Sequence, residues 1–174
     1  MKDNNRVMKT LAKGFTLIEM LVVLAILGLM AGVLLVTLNP SAQLQKSNDA
    51  HRKSDLEAIQ RALELYYQDT GSYPASSVSY QIAPGGTAVA WGSTSWSAYI
   101  DPLPKDPIAA NKYAYYSPAG GQSYYLYANL QRAGNDPGAC NKGLACASIG
   151  GTVPSGISCG GVCNYGVSSP NTTP

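Results

Sequence analysis

The feature that most constrains this chain is a long apolar run near its amino terminus, from Phe15 to Leu38. Its only charged residue is Glu19, and between Met20 and Leu38 the only polar side chain is Thr37. As an α-helix the run would measure about 36 Å, which exceeds the roughly 30 Å hydrocarbon core of a bilayer. A helix on the core of a soluble protein would keep a polar face, and this run has none. We therefore predict a membrane-spanning helix.

Positive charge is concentrated just before the apolar run. Residues 1–14 carry a net charge of +3, and the rest of the chain carries −1. The charged residues of this leader are Lys2, Asp3, Arg6, Lys9 and Lys13. This asymmetry follows the positive-inside rule, so we expect the amino terminus in the cytoplasm and the carboxyl-terminal part across the membrane. Beyond the leader there is no basic patch, so nucleic-acid binding by the folded part has no electrostatic support.

Two ordinary explanations fit residues 1–38 poorly. A secretory signal has an apolar region of 7–15 residues and a small-x-small cleavage site, but this run is longer and no Ala-x-Ala site follows Leu38. A plain signal anchor fits the length and orientation. It leaves Glu19 unexplained, because an unpaired carboxylate at the centre of a spanning helix costs roughly 2.5 kcal/mol or more.

The segment KGFTLIEMLVVLAILGLMAG resembles the signal of type IV prepilins. In that family a prepilin peptidase cuts after the glycine and methylates the new amine. The resemblance therefore implies cleavage between Gly14 and Phe15 and N-methylation of Phe15. Glu19 would then be the fifth residue of the processed chain. Its carboxylate is within reach of the Phe15 ammonium of the same chain, at i, i+4 spacing. The resemblance instead favours the amine of a neighbouring subunit as the partner. In that case Glu19 helps to set the register between subunits during assembly. A Glu that merely reaches the membrane interface is the third possibility.

Gly28 and Gly32 form a G-x-x-x-G pair inside the run. Small residues at this spacing permit close helix packing in membranes. The resemblance also implies that the segment between such a glycine and the following proline, here Pro40, is unwound in filaments. Glycine is moreover common in spanning helices generally, and the sequence does not choose among the three interpretations.

A second helix is predicted after Pro40. Apolar residues at helical spacing form one stripe, composed of Leu56, Ile59, Leu63 and Tyr66. Gly71 is the expected end of this helix. Its first part, residues 41–54, is polar and is expected to face solvent or neighbouring subunits, and His51 is interpreted as a solvated helix position.

Two tyrosine-rich runs, KYAYY and SYYLYANL, flank the turn sequence SPAGGQ and predict a β-hairpin. Alternation places Tyr124, Leu126, Ala128 and Leu130 toward the helix. Tyr125 and Tyr127 then lie on the opposite, exposed face. Exposed tyrosines could serve in adhesion, in stacking on single-stranded DNA or in charge transfer, but tyrosine is also simply a common strand residue.

The segments DTGSYP and LPKDP resemble the major pseudopilin of type II secretion and its pilin relatives. That family often continues with Trp-Gly-Asn-Pro-Tyr, where residues 108–113 here read IAANKY. The departure puts in doubt the calcium site that such pseudopilins carry, and no other cofactor is expected. Asp101, Asp106 and Asp136 are weak calcium candidates, with Asn135 as a further oxygen donor. They are dispersed without EF-hand spacing, so turn and capping roles are preferred.

The four cysteines lie close to the carboxyl terminus, at Cys140, Cys146, Cys159 and Cys163. Outside the cytoplasm disulfides persist, so we predict two bridges that staple a surface region, with the connectivity left open. Zinc is less favoured, because no C-x-x-C pair occurs, and free thiols are the remaining possibility. The final segment, SSPNTTP, is expected to fray.

The fold expected is α+β, the type IV pilin fold. A long amino-terminal helix, apolar in its first half and amphipathic in its second, packs on a small antiparallel β-sheet head with a disulfide-stapled carboxyl-terminal loop region. We divide the chain into a removed leader, a transmembrane and filament-core half-helix, an amphipathic half-helix and a β-rich head. These are residues 1–14, 15–40, 41–70 and 71–174, with the cysteine-containing part beginning at about residue 135.

The function expected first is that of a major pilin, a structural subunit that polymerises into a type IV pilus-like surface filament. The alternatives are a major pseudopilin of a type II secretion system and, in another class, a membrane-tethered extracytoplasmic binding module or enzyme. No nucleophile–base pair or phosphate-binding loop stands out, so no enzymatic activity is expected. Adhesion, motility and secretion are not distinguished.

The resemblance also implies partners and a location. The partners are the chain itself as a helical homopolymer, minor pilins, the prepilin peptidase, and an inner-membrane assembly platform with its cytoplasmic ATPase. Nucleic acid would be a partner only of a DNA-uptake pilus. The chain would span the inner membrane once before assembly, and would then lie in an extracellular filament or a periplasmic pseudopilus.

Overall fold

The computed structural model describes residues 14–174, so the predicted leader lies outside the described residues except for Gly14. The structure divides into two compact units, the second of which begins at Ala42. Along the chain two helices precede five short strands, which form two antiparallel sheets. This arrangement confirms the predicted α+β fold of the pilin type.

The first helix, α1, runs from Leu17–Leu38 and is continuous through both glycines of the G-x-x-x-G pair. It ends at Asn39, whose φ of 41° places it in the left-handed region that often terminates helices. The second helix, α2, spans Pro40–Thr70. A proline suits a first helical position, because its missing N–H would have no partner there. The interruption between the helices therefore lies at Asn39.

Helix α2 carries the predicted apolar stripe into the core of the head. Leu56, Ile59 and Leu63 are fully buried. The helix ends where Gly71 adopts a φ of 75° and donates its N–H to the carbonyl of Tyr67 at 2.8 Å. Both the stripe and the glycine stop are as the sequence predicts.

The strands form one small and one larger antiparallel sheet. Strands β1 (Ala75–Ser76) and β2 (Ile82–Ala83) pair with each other. Strands β3 (Ala114–Tyr116), β4 (Tyr125–Ala128) and β5 (Tyr165–Ser168) form the larger sheet in the order β3-β4-β5. The hairpin β3–β4 is the predicted one, and its central pair is Tyr115 opposite Leu126.

One face of the larger sheet packs on the helix stripe. Tyr124, Leu126 and Ala128 belong to the same buried cluster as Leu56 and Ile59. The alternation of β4 therefore correctly predicts which residues face α2.

The opposite face is also buried, contrary to the prediction from the sequence. Tyr125 is 4% exposed and Tyr127 is fully buried. They are covered by the carboxyl-terminal segment, whose contributing side chains are Cys146, Val153, Ile157, Cys159 and Cys163. The prediction that these tyrosines are exposed is wrong, because half-cystines and a few aliphatic residues suffice to form a second apolar layer. Tyr127 Oη is further hydrogen-bonded to Ser148 Oγ.

The end of the chain is packed, so the predicted fraying is also wrong. Strand β5 pairs with β4 along its length, and the N–H of Ser169 donates to the carbonyl of Tyr124 at 3.2 Å. The side chain of Pro174 lies so close to Gly166 that a Cβ on this glycine would be 2.8 Å from Pro174 Cβ. The last residues thus pack beside the edge strand β5.

Candidate functional site

The carboxylate singled out by the sequence caps its own helix. Thr16 is the N-cap of α1, and its Oγ1 accepts the backbone N–H of Glu19 at 3.2 Å. In return Glu19 Oε2 accepts from the Thr16 N–H at 2.8 Å and from Thr16 Oγ1 at 2.9 Å. This reciprocal capping box satisfies N–H groups that would otherwise lack partners at the start of a helix. Glu19 is therefore held at the first turn of α1, against the backbone N–H of Thr16.

The side chains of α1 between Leu17 and Leu34 form an exposed apolar surface. Between Leu17 and Leu34 no side chain is buried, and this window has the length and composition of a membrane span. The large apolar side chains of this window are between 46% and 83% exposed. In water such a surface would drive association, so it requires a bilayer or other apolar surfaces.

The space around Gly28 and Gly32 on the surface of this helix is empty. A Cβ added at either position would meet no other atom within 4 Å. The structure of one chain therefore neither requires these glycines nor unwinds the helix at them, and their packing or melting role stays a prediction, as does that of Pro40.

In the head, the polar first part of α2, predicted to face solvent or neighbouring subunits, contains a buried ion-pair network. The side chain of Arg52 is fully buried. Its Nε and Nη2 donate to the two carboxylate oxygens of Asp106 at 2.7 and 2.9 Å, and its Nη1 donates to Asp49 Oδ1 at 2.7 Å. Burial alone would lower the pKa of Arg52, but the hydrogen bonds and charges of Asp106 and Asp49 raise it above its ordinary value.

The network ties α2 to two separate loops. Asp106 belongs to the LPKDP segment, and its Oδ1 also accepts the N–H of Ile108 at 2.8 Å. Asp49 accepts the backbone N–H groups of Gln131 and Arg132, each at 2.8 Å, in the loop that follows β4. A sequence signal for Asp106 did exist, namely its place in LPKDP, but nothing in the sequence pairs it with Arg52.

A second ion pair holds the same loop a few residues further on. Lys53 Nζ donates to Asp136 Oδ2 at 2.5 Å and lies 5.2 Å from the centre of the Tyr165 ring. Asp136 Oδ1 accepts the N–H of Gly138 at 2.9 Å. Burial would raise the pKa of Asp136, but the Lys53 and Gly138 hydrogen bonds outweigh it and hold this pKa below its ordinary value.

The calcium candidates do not assemble into a site. Asp106 is engaged by Arg52 and Asp136 by Lys53, and Asp101 is exposed on the surface. Within residues 14–174 no group of three His, Cys, Asp or Glu side chains has the geometry to hold a metal ion. Because calcium takes six to eight oxygen ligands, and two of the three candidates are already bound by cationic side chains, the donor set does not fit this ion.

The predicted disulfides form between neighbouring cysteines. Cys140 is bonded to Cys146 and Cys159 to Cys163. The two closed loops lie side by side, because the N–H of Cys146 donates to the carbonyl of Cys163 at 3.1 Å. Asn164, directly after them, joins them to the end of β4 by accepting from the N–H of Leu130 and donating to its carbonyl. The staples thus fasten the second apolar layer to the sheet.

His51 is exposed and shares a hydrogen bond of 3.1 Å with Asp55 one turn later. This is the solvated helix position that the sequence predicts. Asp55 also accepts from Tyr113 Oη at 2.5 Å, and burial together with this carboxylate raises the pKa of Tyr113. These contacts stabilise the helix and its attachment to the sheet.

An exposed apolar helix with a capped carboxylate at its start, followed by a helix-on-sheet head, is the arrangement of pilin-like subunits. Comparison with known proteins gives the family. Residues 9–35 match the prokaryotic N-terminal methylation motif, and residues 39–143 match the family described as type II secretion system (T2SS), protein G. The chain belongs to this family of structural pseudopilin subunits, which is not a family of enzymes.

Individual relatives agree with this assignment. The type II secretion system core protein G of Vibrio cholerae serotype O1 is 32% identical over 130 residues, which cover 72% of this chain and 87% of the relative. The protein of the same name from Pseudomonas aeruginosa is 31% identical over 130 residues, covering 74% and 89%. That of Aeromonas hydrophila is 34% identical over 107 residues, covering 60% and 73%. No solved structure matches significantly.

These comparisons change the order of the expected functions. A surface pilus was expected first and a secretion pseudopilus second, and the family supports the second. The expectation of a surface pilus rested on the four cysteines, but three of them lie beyond the end of the match at residue 143, in the layer that covers the sheet.

Proposed function

We propose that this chain is the major pseudopilin of a type II secretion system, and that it polymerises into a periplasmic pseudopilus. The observation that carries the proposal is the match of residues 39–143 to protein G of that system. In the sequence this region follows a helix whose apolar side chains are all exposed between Leu17 and Leu34. The leader, residues 1–14, is removed, residues 15–40 serve as anchor and then as filament core, residues 41–70 form the amphipathic half-helix, and residues 71–174 form the head.

The physical basis of polymerisation is the exposed surface of α1. A bilayer solvates this surface before assembly, and the same helices of other copies replace the lipid in the filament. Since apolar side chains gain little from leaving lipid for one another, close packing at Gly28 and Gly32 and pairing of polar groups are needed to favour the filament. Glu19 is the charged residue of this surface.

Cleavage between Gly14 and Phe15 changes the electrostatics at the start of α1. Hydrolysis turns the Phe15 amide into an ammonium next to the capping box of Thr16 and Glu19, and a separate transfer from a methyl donor then methylates this amine. The Glu19 carboxylate then has two possible positive partners, the ammonium of its own chain and that of a neighbour. A buried charge that loses its partner strongly destabilises the assembly that contains it. The stable register between subunits is therefore the one in which each Glu19 carboxylate lies next to an ammonium.

The proposed partners are further copies of the chain, minor pseudopilins, the prepilin peptidase, and the inner-membrane platform with its ATPase. The proposed path is a single membrane span with the amino terminus in the cytoplasm, followed by a filament in the periplasm.

Deletion of the gene distinguishes secretion from surface display. We expect the deletion strain to retain in its periplasm the proteins that it normally exports, and to keep its surface filaments under the electron microscope. Loss of surface filaments with normal export would show that the chain is a surface pilin instead.

The processing step and the role of Glu19 are tested together by mass spectrometry and by crosslinking of the assembled filament. We expect the extracted protein to begin at a methylated Phe15. Glu19→Gln keeps an oxygen that can accept from Thr16 but removes the charge, and we expect it to be processed and inserted normally without forming filaments. Glu57→Gln, at an exposed carboxylate of α2, is the matched control and should assemble. Normal filaments from Glu19→Gln would contradict the register role.

A further inference from the structure

Two adjacent basic residues of α2 bind two different carboxylate loops of the head. Arg52 reaches Asp106 in the LPKDP segment, and Lys53 reaches Asp136 in the loop after β4. Both acids are among the residues where the resemblance to pseudopilins raised the question of a calcium ion. The contacts show that each carboxylate already has a cationic partner that belongs to the chain.

Every oxygen atom of these two carboxylates already accepts at least one hydrogen bond. Asp106 Oδ1 accepts from Arg52 Nη2 and from the N–H of Ile108, and Oδ2 accepts from Arg52 Nε. Asp136 Oδ1 accepts from the N–H of Gly138, and Oδ2 from Lys53 Nζ. A calcium ion at about 2.3–2.6 Å from either oxygen of Asp106 or from Asp136 Oδ2 would compete with a charged donor, and at Asp136 Oδ1 it would compete with the N–H of Gly138.

The surrounding electrostatics also disfavour a divalent cation. The cavity between α2 and this loop, of about 390 Å³, is lined by three basic and two acidic side chains. These are Lys46, Lys53, Arg132, Asp49 and Asp136. Asp49 is itself engaged by Arg52 and two backbone N–H groups. A dication entering this cavity would meet a net positive charge.

We propose that Arg52 and Lys53 supply the positive charge that a bound calcium ion would otherwise bring to the loops of this head, so that the head folds and stays folded without calcium. In this arrangement the helix carries its own counter-charges to the LPKDP segment and to the loop after β4. The inference concerns the head alone and does not depend on the kind of filament formed.

The test is thermal unfolding of the full chain in detergent micelles, followed by near-ultraviolet circular dichroism. Every tyrosine and tryptophan lies at or beyond Tyr66, so this signal reports only the head. We expect the same Tm in excess EGTA and in millimolar calcium chloride, with ionic strength matched by sodium chloride. A higher Tm in calcium than in matched sodium chloride would overturn the proposal.

Variants test the positive part of the proposal. Lys53→Met removes the ammonium and is expected to lower Tm by roughly 3 °C or more in either solution. Adding Asp136→Asn, which keeps an acceptor for Gly138 but no charge, should restore most of the loss. Lys46→Met, at an exposed lysine of the same cavity, should leave Tm unchanged. If Lys53→Met behaves like Lys46→Met, or if the double variant is no more stable than Lys53→Met alone, Lys53 does not act as the counter-charge of Asp136.

Discussion

The ion-pair network of the head makes a quantitative prediction for Arg52→Met, which keeps the length of the side chain but removes its charge and donors. The substitution eliminates three charge-assisted hydrogen bonds to Asp49 and Asp106. These carboxylates are only 5% and 7% exposed, so they remain in the interior without their cation. Breaking a buried ion pair by removing one partner costs about 3–5 kcal/mol.

The lower end of that interval is expected here, because both carboxylates keep backbone donors. Asp49 retains the N–H groups of Gln131 and Arg132, and Asp106 retains that of Ile108. We therefore expect the free energy of unfolding to fall by about 3 kcal/mol. At about 3 °C per kcal/mol for a domain of this size, Tm should fall by about 10 °C.

Urea unfolding of the full chain in micelles, followed by tyrosine and tryptophan circular dichroism, measures this loss. Arg61→Met, at an exposed position of the same helix, should lie within about 0.5 kcal/mol of the unsubstituted protein. Arg52→Lys should fall between the two, since it keeps the charge but not the planar fork that binds Asp106 through two bonds. A loss below about 1 kcal/mol for Arg52→Met would refute the view that this network holds the loops on the helix.

Three further predictions concern the disulfides, the buried tyrosines and one glycine. Reduction of either disulfide should cost about 2 kcal/mol in urea unfolding, because the closed loops are short; equal midpoints with and without reductant would contradict this. Burial raises the pKa of Tyr124 and of Tyr127 to about 12, whereas unfolded tyrosine titrates near about 10. The folded state therefore holds the phenolic protons more tightly, so stability is full below about pH 10 and is lost as pH rises toward about 12. Tyrosinate absorbance should follow the loss of circular dichroism for these residues, and ionisation well before unfolding would contradict their burial. Gly160→Ala places a Cβ 2.2 Å from the carbonyl oxygen of Ala110, whereas Gly150→Ala has a similar positive φ but open space. The first should therefore lose about 1–3 kcal/mol more than the second in urea, and equal losses would show that the close approach at Gly160 is relieved at no cost.

The elements that the sequence predicts well are those specified by local periodicity. The stripe of Leu56, Ile59 and Leu63 has the helical period, and the glycine at position 71 supplies the left-handed residue that ends the helix. The hairpin follows from two strand-forming runs around a turn. Each of these signals lies within a few residues of the structure that it produces.

The features that the sequence did not predict depend on contacts between distant segments. Alternation in β4 shows that Tyr125 and Tyr127 share a face, but it does not show what covers that face. The cover comes from a segment rich in glycine and serine, where the disulfides supply apolar surface. Likewise Arg52 and Asp49 look like solvent-facing helix residues until Asp106, more than fifty positions later, completes their network.

The packing of the last residues determines where this protein can be labelled. A tag fused after Pro174 would begin beside Gly166 in the edge strand, and would crowd the hydrogen bonds that join β5 to β4. The turn between β1 and β2 is a better place for an epitope or a fluorophore. Val78 at its tip is completely exposed, so a cysteine-free peptide inserted there should leave both layers of the head intact.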